Sequence, residues 1–214
     1  MNRLETLESL VDTKRVFDVG CDHGLLAISL SKNHEVIASD ISNSSVNKAK
    51  ENVQEAKAKV KVLQSDGLNE LDIKKEDTVV LAGMGTYTIL KILKNNIDKV
   101  PNTLIIQANN NYDILRKEIV SLGYYIDEEV TLHINRWYVI IRFKKGHKKY
   151  SKLDYLLGPN PSKEYIEFNL KYYKNVLDKI PSRYFVKKMK LKRLINKINK
   201  KWKMYIFLFY LKNV

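Results

Sequence analysis

Val16-Phe17-Asp18-Val19-Gly20-Cys21-Asp22-His23-Gly24 is the stretch whose reading decides the fold. Val16 to Val19 make a short strand, and Gly20 and Gly24 let the chain turn into a helix near residues 24–32. A strand, a glycine turn and a helix in that order aim backbone N–H groups at a ligand over the helix N-terminus. The pattern then repeats. Glu35 to Ser39 reads as a second strand, Ser44 to Lys57 as a helix with one apolar face, Val60 to Leu63 as a third strand and Thr78 to Leu81 as a fourth. Thr86 to Lys94 is a helix, Leu104 to Ile106 a fifth strand and Tyr112 to Leu122 another helix. Tyr124 to Leu132 and Trp137 to Phe143 read as an antiparallel pair. Strands alternating with helices at this spacing predict an α/β fold: a doubly wound, mostly parallel sheet closed by an antiparallel hairpin.

The chain changes character after that hairpin. Lys144 to Lys149 is a charged linker, and Gly158-Pro159-Asn160-Pro161 cannot continue a helix. Ser162 then reads as an N-cap, followed at helical spacing by Tyr165, Phe168, Leu170, Tyr172, Val176, Leu177 and Ile180. Pro181-Ser182 interrupts, and Phe185, Met189, Leu191, Leu194, Ile195, Ile198, Trp202 and Tyr205 resume the pattern. The expectation is two domains, 1–150 and 151–214, the second a helical hairpin or short coiled coil with this apolar stripe as its core.

Charge separates the two parts. Residues 1–143 hold 18 Lys and Arg against 20 Asp and Glu, whereas residues 144–214 hold 20 against 4. Lys outnumbers Arg 31 to 7 over the chain, but a lysine-rich composition would not strip acids from one segment. A basic module beside a near-neutral domain points to a polyanion, with nucleic acid favoured over an acidic membrane surface. No apolar run approaches the ~18 residues that span a membrane, the longest near the end being Met204 to Leu211. Met1 to Glu5 lacks the basic and apolar regions of a signal peptide, so a cytoplasmic location is expected. The single cysteine, Cys21, excludes an internal disulfide, and no metal-ligand spacing links His23, His34, His133 and His147.

A glycine turn alone is a weak signal, but two acids at strand ends strengthen it. Asp40 ends the second strand, 22 residues after Asp18, where an acid grips ribose hydroxyls, and Asp66-Gly67 follows the third. A dinucleotide is disfavoured, because Asp22 stands where a glycine would admit pyrophosphate, and its carboxylate would repel phosphate. S-adenosylmethionine, with a sulfonium and an ammonium, suits that charge. A terminal antiparallel hairpin is also typical of class I (Rossmann-like) methyltransferases rather than dehydrogenases. Such enzymes acting on exocyclic amines usually carry Asn/Asp-Pro-Pro-Tyr/Phe after the fourth strand, where this chain reads Ala82-Gly83-Met84-Gly85. A ring nitrogen with an in-plane lone pair, which needs no strong base, is the better target.

Gly20-Cys21-Asp22-His23, Ala82-Gly83-Met84-Gly85, Gln107-Ala108-Asn109 and the later Leu157-Gly158-Pro159 together resemble the bacterial tRNA (adenine(22)-N1)-methyltransferases over nearly the whole chain. Those enzymes typically read G-S-D-H, A-G-M-G-G and Q-P-N at the first three places. Here Cys21 replaces a serine, Thr86 the second glycine and Ala108 the proline, and Ala38-Ser39-Asp40 stands where Gly-Glu is frequent. The resemblance implies S-adenosylmethionine as cofactor and tRNA as partner. A methylated adenine is cationic, so the Asp22 carboxylate would stabilise it and accept from its N6 amino group, with Asn109 a candidate for a second contact. The resemblance also implies a cofactor site of Asp18, Gly20, Cys21, Asp22 and His23 around the first turn, Asp40 and Ile41 after the second strand, Asp66 and Gly67 after the third, and Ala82, Gly83 and Met84 after the fourth.

Other readings stay open at this level. Asp22 can cap the following helix, Asp66 can be a turn residue, and Asn109-Asn110-Asn111 can reflect an Asn-rich composition. His23 suits a structural role as well as a functional one, Cys21 reads as a small wall residue, and backbone amides can hold Asp18. A small-molecule methyltransferase would share the first domain, a non-catalytic RNA-binding protein would need only the second, and lysine-flanked Ile206 to Phe209 suits a membrane surface. Oligomeric state is not fixed by the sequence, and a monomer is expected.

Overall fold

The computed structural model describes residues 2–212, with side chains described through residue 203. The chain divides into two compact units, Met1–Lys149 and Tyr150–Val214. No helix among the described residues is long and apolar enough to cross a membrane.

The first unit is a seven-stranded sheet flanked by helices. Its strands are β1 (Arg15–Val19), β2 (Glu35–Asp40), β3 (Val60–Gln64), β4 (Thr78–Met84), β5 (Thr103–Ala108), β6 (Tyr124–His133) and β7 (Trp137–Lys145). They lie in the order β3-β2-β1-β4-β5-β7-β6. β1 to β5 are parallel, while β7 runs antiparallel to β5 and to β6. The predicted doubly wound sheet with its terminal hairpin is therefore the architecture found. Val79, Val80, Leu81, Leu104, Ile105 and Ile106 on the central strands are fully buried, as expected of parallel strands covered on both faces. The helices are α1 (Arg3–Ser9), α2 (Leu25–Leu30), α3 (Asn43–Glu55), α4 (Thr86–Asn95) and α5 (Tyr112–Ser121), with one 3₁₀ turn at Ile97–Lys99. In the sheet's outer half, fully buried Arg116 forms a bidentate pair with Glu129, at 2.8 and 2.7 Å.

Two details differ from the expectation. β4 does not end at Leu81 but continues to Met84 across an irregularity at Gly83, whose φ of +83° needs glycine. α1 was not anticipated. It starts on a capping box in which the Asn2 side chain accepts from the Glu5 amide and the Glu5 carboxylate accepts from the Asn2 amide.

The second unit contains α6 (Lys152–Leu157), α7 (Lys163–Lys179) and α8 (Phe185–Lys212). Leu157, Ile166, Leu170, Ile195 and Ile198 form its core, with Tyr173, Leu177, Leu191, Leu194 and Trp202 packed around them. α6, absent from the sequence reading, shares this core and is tied to α8 by Lys201, which bonds Asp154 at 2.8 Å. The predicted stripe is corrected at four positions, because Phe168, Tyr172, Phe185 and Met189 are exposed. At ~100° per residue, Ile166, Leu170, Tyr173 and Leu177 share one face of α7, whereas Phe168 and Tyr172 point the other way. Met189 is nine residues before Ile198, about half a turn out of phase, and Phe185 shares its face. The predictions resting on Tyr205 and the Ile206–Phe209 run concern side chains outside the described residues.

Candidate active site

Strand order reverses beside β1: β2 and β3 lie on one side and β4 and β5 on the other. In such sheets ligands bind outside the carboxyl ends of the strands at this switch point. A cleft of about 1000 Å³ opens there, large enough for a cofactor of nucleoside size. The turn after β1 contributes Asp18, Gly20, Cys21, Asp22 and His23 to its wall. Asp40 and Ile41 come from the end of β2, Asp66 and Gly67 from beyond β3, and Ala82, Gly83 and Met84 from the end of β4. Every residue expected at a cofactor site thus lies on one cleft.

The backbone explains the shape of this wall. Gly20 has φ +76°, a left-handed backbone conformation that favours glycine, and a Cβ there would press on the methyl end of the Met84 side chain. Asp22 adopts φ +48°, a conformation that Asp and Asn tolerate better than other non-glycine residues. Its amide donates to Asp40 Oδ2 at 3.1 Å, and the Ser42 amide donates to Asp40 Oδ1 at 2.9 Å. A carboxylate has about four acceptor positions, so Asp40 keeps capacity for hydroxyl donors in the cleft. The Asp22 side chain is exposed and lies 3.6 Å from His23 Nε2. The N-cap of α2 is Gly24 and has no side-chain cap bond, so Asp22 is not a helix cap.

Asp18 is buried, and its Oδ2 has no hydrogen-bond partner among the described residues. Burial pushes its carboxyl up to about 7; the Ala27 backbone hydrogen bond opposes this, the charge of Asp40 adds to it, and Arg3 opposes it. The native state therefore holds this proton more tightly than the unfolded chain does. The contribution of Asp18 to stability should fall as pH rises from ~4 to about 7 and stay level above that. Chemical denaturation at pH 5 and pH 7.5 checks this. Asp18→Asn should be relatively more stable than wild type at the higher pH, and an equal difference at both would contradict it. Cys21 is buried, and desolvation together with Asp18 and Asp40 pushes its thiol up to about 12, so it presents no thiolate at neutral pH.

Asn109 does not line the cleft. Its amide donates to the Met84 carbonyl at 2.8 Å, and its Nδ2 donates to the Gly83 carbonyl at 2.6 Å. Its Oδ1 accepts from Arg136 at 3.3 Å. The side chain thus ties the residue after β5 to the end of β4.

Two parts of the wall were not foreseen. Arg3 enters from α1 and donates to Gln107 Oε1 at 2.9 Å, and Lys91 brings a second basic side chain to the cleft. Thr88, Lys91, Ile92 and Asn95 present one face of α4 to the cleft, opposite its buried Ile89, Leu90 and Leu93. Leu25 and Ile41 leave apolar surface uncovered there. No group of three or more His, Cys, Asp or Glu side chains that could hold a metal ion occurs among the described residues.

A methyltransferase-domain family model matches residues 1–141. The chain belongs to this methyltransferase-domain family. Among curated relatives, the tRNA (adenine(22)-N(1))-methyltransferase of Bacillus subtilis is 30% identical over 138 residues, 61% of this chain and 58% of that protein. The match therefore spans less than two thirds of that relative's length. Two solved structures resemble this methyltransferase-family chain through both units. A Streptococcus agalactiae protein of the NADB-Rossmann superfamily is 30% identical with TM-score 0.82, covering 94% of this chain and 96% of that one. M. capricolum TrmK in complex with S-adenosyl-homocysteine is 27% identical with TM-score 0.78, covering 95% and 97%.

Proposed function

We propose that this chain transfers the methyl group of S-adenosylmethionine to N1 of an adenine in tRNA, at position 22 by its likeness to the B. subtilis enzyme. The observation that carries the reading is the cleft at the switch point. It gathers Asp18, Asp22, Asp40 and Asp66 on one wall, a charge that favours a cationic ligand bearing a ribose over a pyrophosphate.

The residues present fit that cofactor. Asp40 would take the ribose hydroxyls, Asp66 the adenine amino group, and Leu25 and Ile41 would cover apolar surface of the ligand. Unpartnered Oδ2 of Asp18 would face the ammonium, and Arg3, steadied by Gln107, the carboxylate. When bound, S-adenosylmethionine supplies a methyl group on sulfonium that leaves sulfur as a neutral thioether. Adenine N1 attacks with an in-plane lone pair, so no side chain has to remove a proton first. Asp22 accepts from the adenine N6 amino group and offsets the positive charge the ring gains as the N1–methyl bond forms. Asn109 keeps the β4 end in place through Gly83 and acts on the reaction only by position.

The basic second unit favours tRNA over a small-molecule acceptor. Residues 150–214 hold 16 Lys and Arg against 4 Asp and Glu, whereas residues 1–149 hold 22 against 20. Calorimetric titration with S-adenosylmethionine, followed by transfer of labelled methyl to unmodified tRNA, tests the reading. Asp40→Ala should weaken cofactor binding by roughly 1–3 kcal/mol, because it leaves the ribose hydroxyls unpaired. Unchanged affinity in that variant would remove Asp40 from the site.

A further inference from the structure

We propose that the turn between α7 and α8 is a stacking platform for unpaired bases of the tRNA; the inference rests on the reading of the protein as a tRNA methyltransferase. Tyr184, Phe185 and Val186 are 50%, 66% and 65% exposed, although they are consecutive and mostly apolar. Together with Arg183, Lys187 and Lys190 they line a shallow groove. The core of this unit lies elsewhere and does not use them. Neighbouring apolar side chains left in water at a helix start, rather than turned into the adjacent core, mark a surface that is covered in a complex.

The charge around the groove selects the partner. Arg183, Lys187 and Lys190 line it, and no Asp or Glu occurs anywhere after Asp178. The first turn of α8 carries no acid. Arg183 lies over the Tyr184 ring, 5.2 Å from its centroid, so a flat guanidinium and an aromatic face already sit side by side in the groove. Rings interleaved with cations are what single-stranded or looped nucleotides need, the rings meeting bases and the lysines meeting phosphates. An apolar protein surface would gain from Phe185 and Val186 but would have to accept several unpaired lysines, so RNA is the occupant the surface favours. Duplex RNA keeps its bases stacked inside and would use the cations alone.

The test uses the full chain and its Tyr184→Ala/Phe185→Ala variant. Both side chains are exposed, so the fold should be retained, and circular dichroism with calorimetric S-adenosylmethionine binding checks that. Fluorescence anisotropy should show tRNA affinity reduced on the order of tenfold or more, with affinity for a fully paired RNA duplex unchanged. In methylation assays KM for tRNA should rise while kcat stays near wild type. Lys187→Ala/Lys190→Ala should instead weaken both RNAs and shallow the salt dependence. Wild-type tRNA affinity in the aromatic variant would overturn the platform while leaving the tRNA-methyltransferase reading standing. If that variant loses a self-associated species in sedimentation and keeps its tRNA affinity, the surface belongs to a second copy of the chain and the platform is again overturned. Failure of the wild-type chain to bind tRNA would remove both readings.

Discussion

Replacing Asp22 with asparagine should lower turnover on tRNA by on the order of 100-fold while leaving the fold and both substrate affinities within a few-fold of wild type. The Asp22 side chain is exposed at the cleft wall, caps no helix and has His23 as its ion-pair neighbour among the described residues, so its loss removes little that holds the protein together. Asparagine also tolerates the backbone at φ +48°, whereas alanine would add strain unrelated to chemistry. What asparagine lacks is charge. If Asp22 offsets the positive charge that develops on the adenine, its contribution exists mainly in the transition state, and kcat falls with little change in KM. Steady-state kinetics with calorimetry on the same preparation separates the cases. A variant with near-normal kcat would show that the carboxylate only shapes the turn.

Removing residues 150–214 should leave S-adenosylmethionine binding nearly intact and reduce tRNA methylation by on the order of 10³-fold or more. The cleft is lined wholly by residues between Arg3 and Asn96, and the first unit's core clusters are built from its own strands and helices. The truncated protein would retain 22 basic against 20 acidic residues, a weak electrostatic hold on a polyanion. The full chain should bind tRNA with a steep salt dependence, because each neutralised phosphate releases counterions. Efficient methylation by the truncated protein would mean that the basic helices are a solvated appendage.

Much of this was legible in the sequence for a physical reason. In a doubly wound sheet every parallel strand ends on the same edge, so residues at strand ends far apart in the chain must converge. Asp18, Asp40, Asp66 and Met84 each follow or end a β-branched run, and the topology alone gathers them. The helix-forming segments were less legible where they are short. α1 and α6 have seven and six residues, too few to show an apolar period, and their capping boxes at Asn2–Glu5 and Ser151–Asp154 were the available signals. Arg3 was missed with α1. The β4 extension was hidden because Ala82-Gly83-Met84-Gly85 has the composition of a loop, whereas a positive φ at Gly83 allows the strand to continue.

The stripe of the second unit was misjudged at positions where spacing was read without direction. Phe168 and Tyr172 are four apart and look like part of a stripe, yet their face is opposite that of Ile166 and Leu170. Asn109 is expected as a second contact to the base from its place in Gln107-Ala108-Asn109, after the fifth strand. Its Nδ2 donates to the Gly83 carbonyl, 26 positions away in sequence. Side-chain partners brought in from another strand's end leave no local trace in composition or period.

The most direct measurement is the position of the transferred methyl group. Unmodified tRNA carrying adenine at position 22 is incubated with the full chain and S-adenosylmethionine, digested to nucleosides and fragments, and read by mass spectrometry. The account predicts one 1-methyladenosine per tRNA, mapped to position 22 and absent from tRNA with guanine there. Methylation on an exocyclic amine, or no methylated nucleoside under conditions in which S-adenosylmethionine binds, would contradict it.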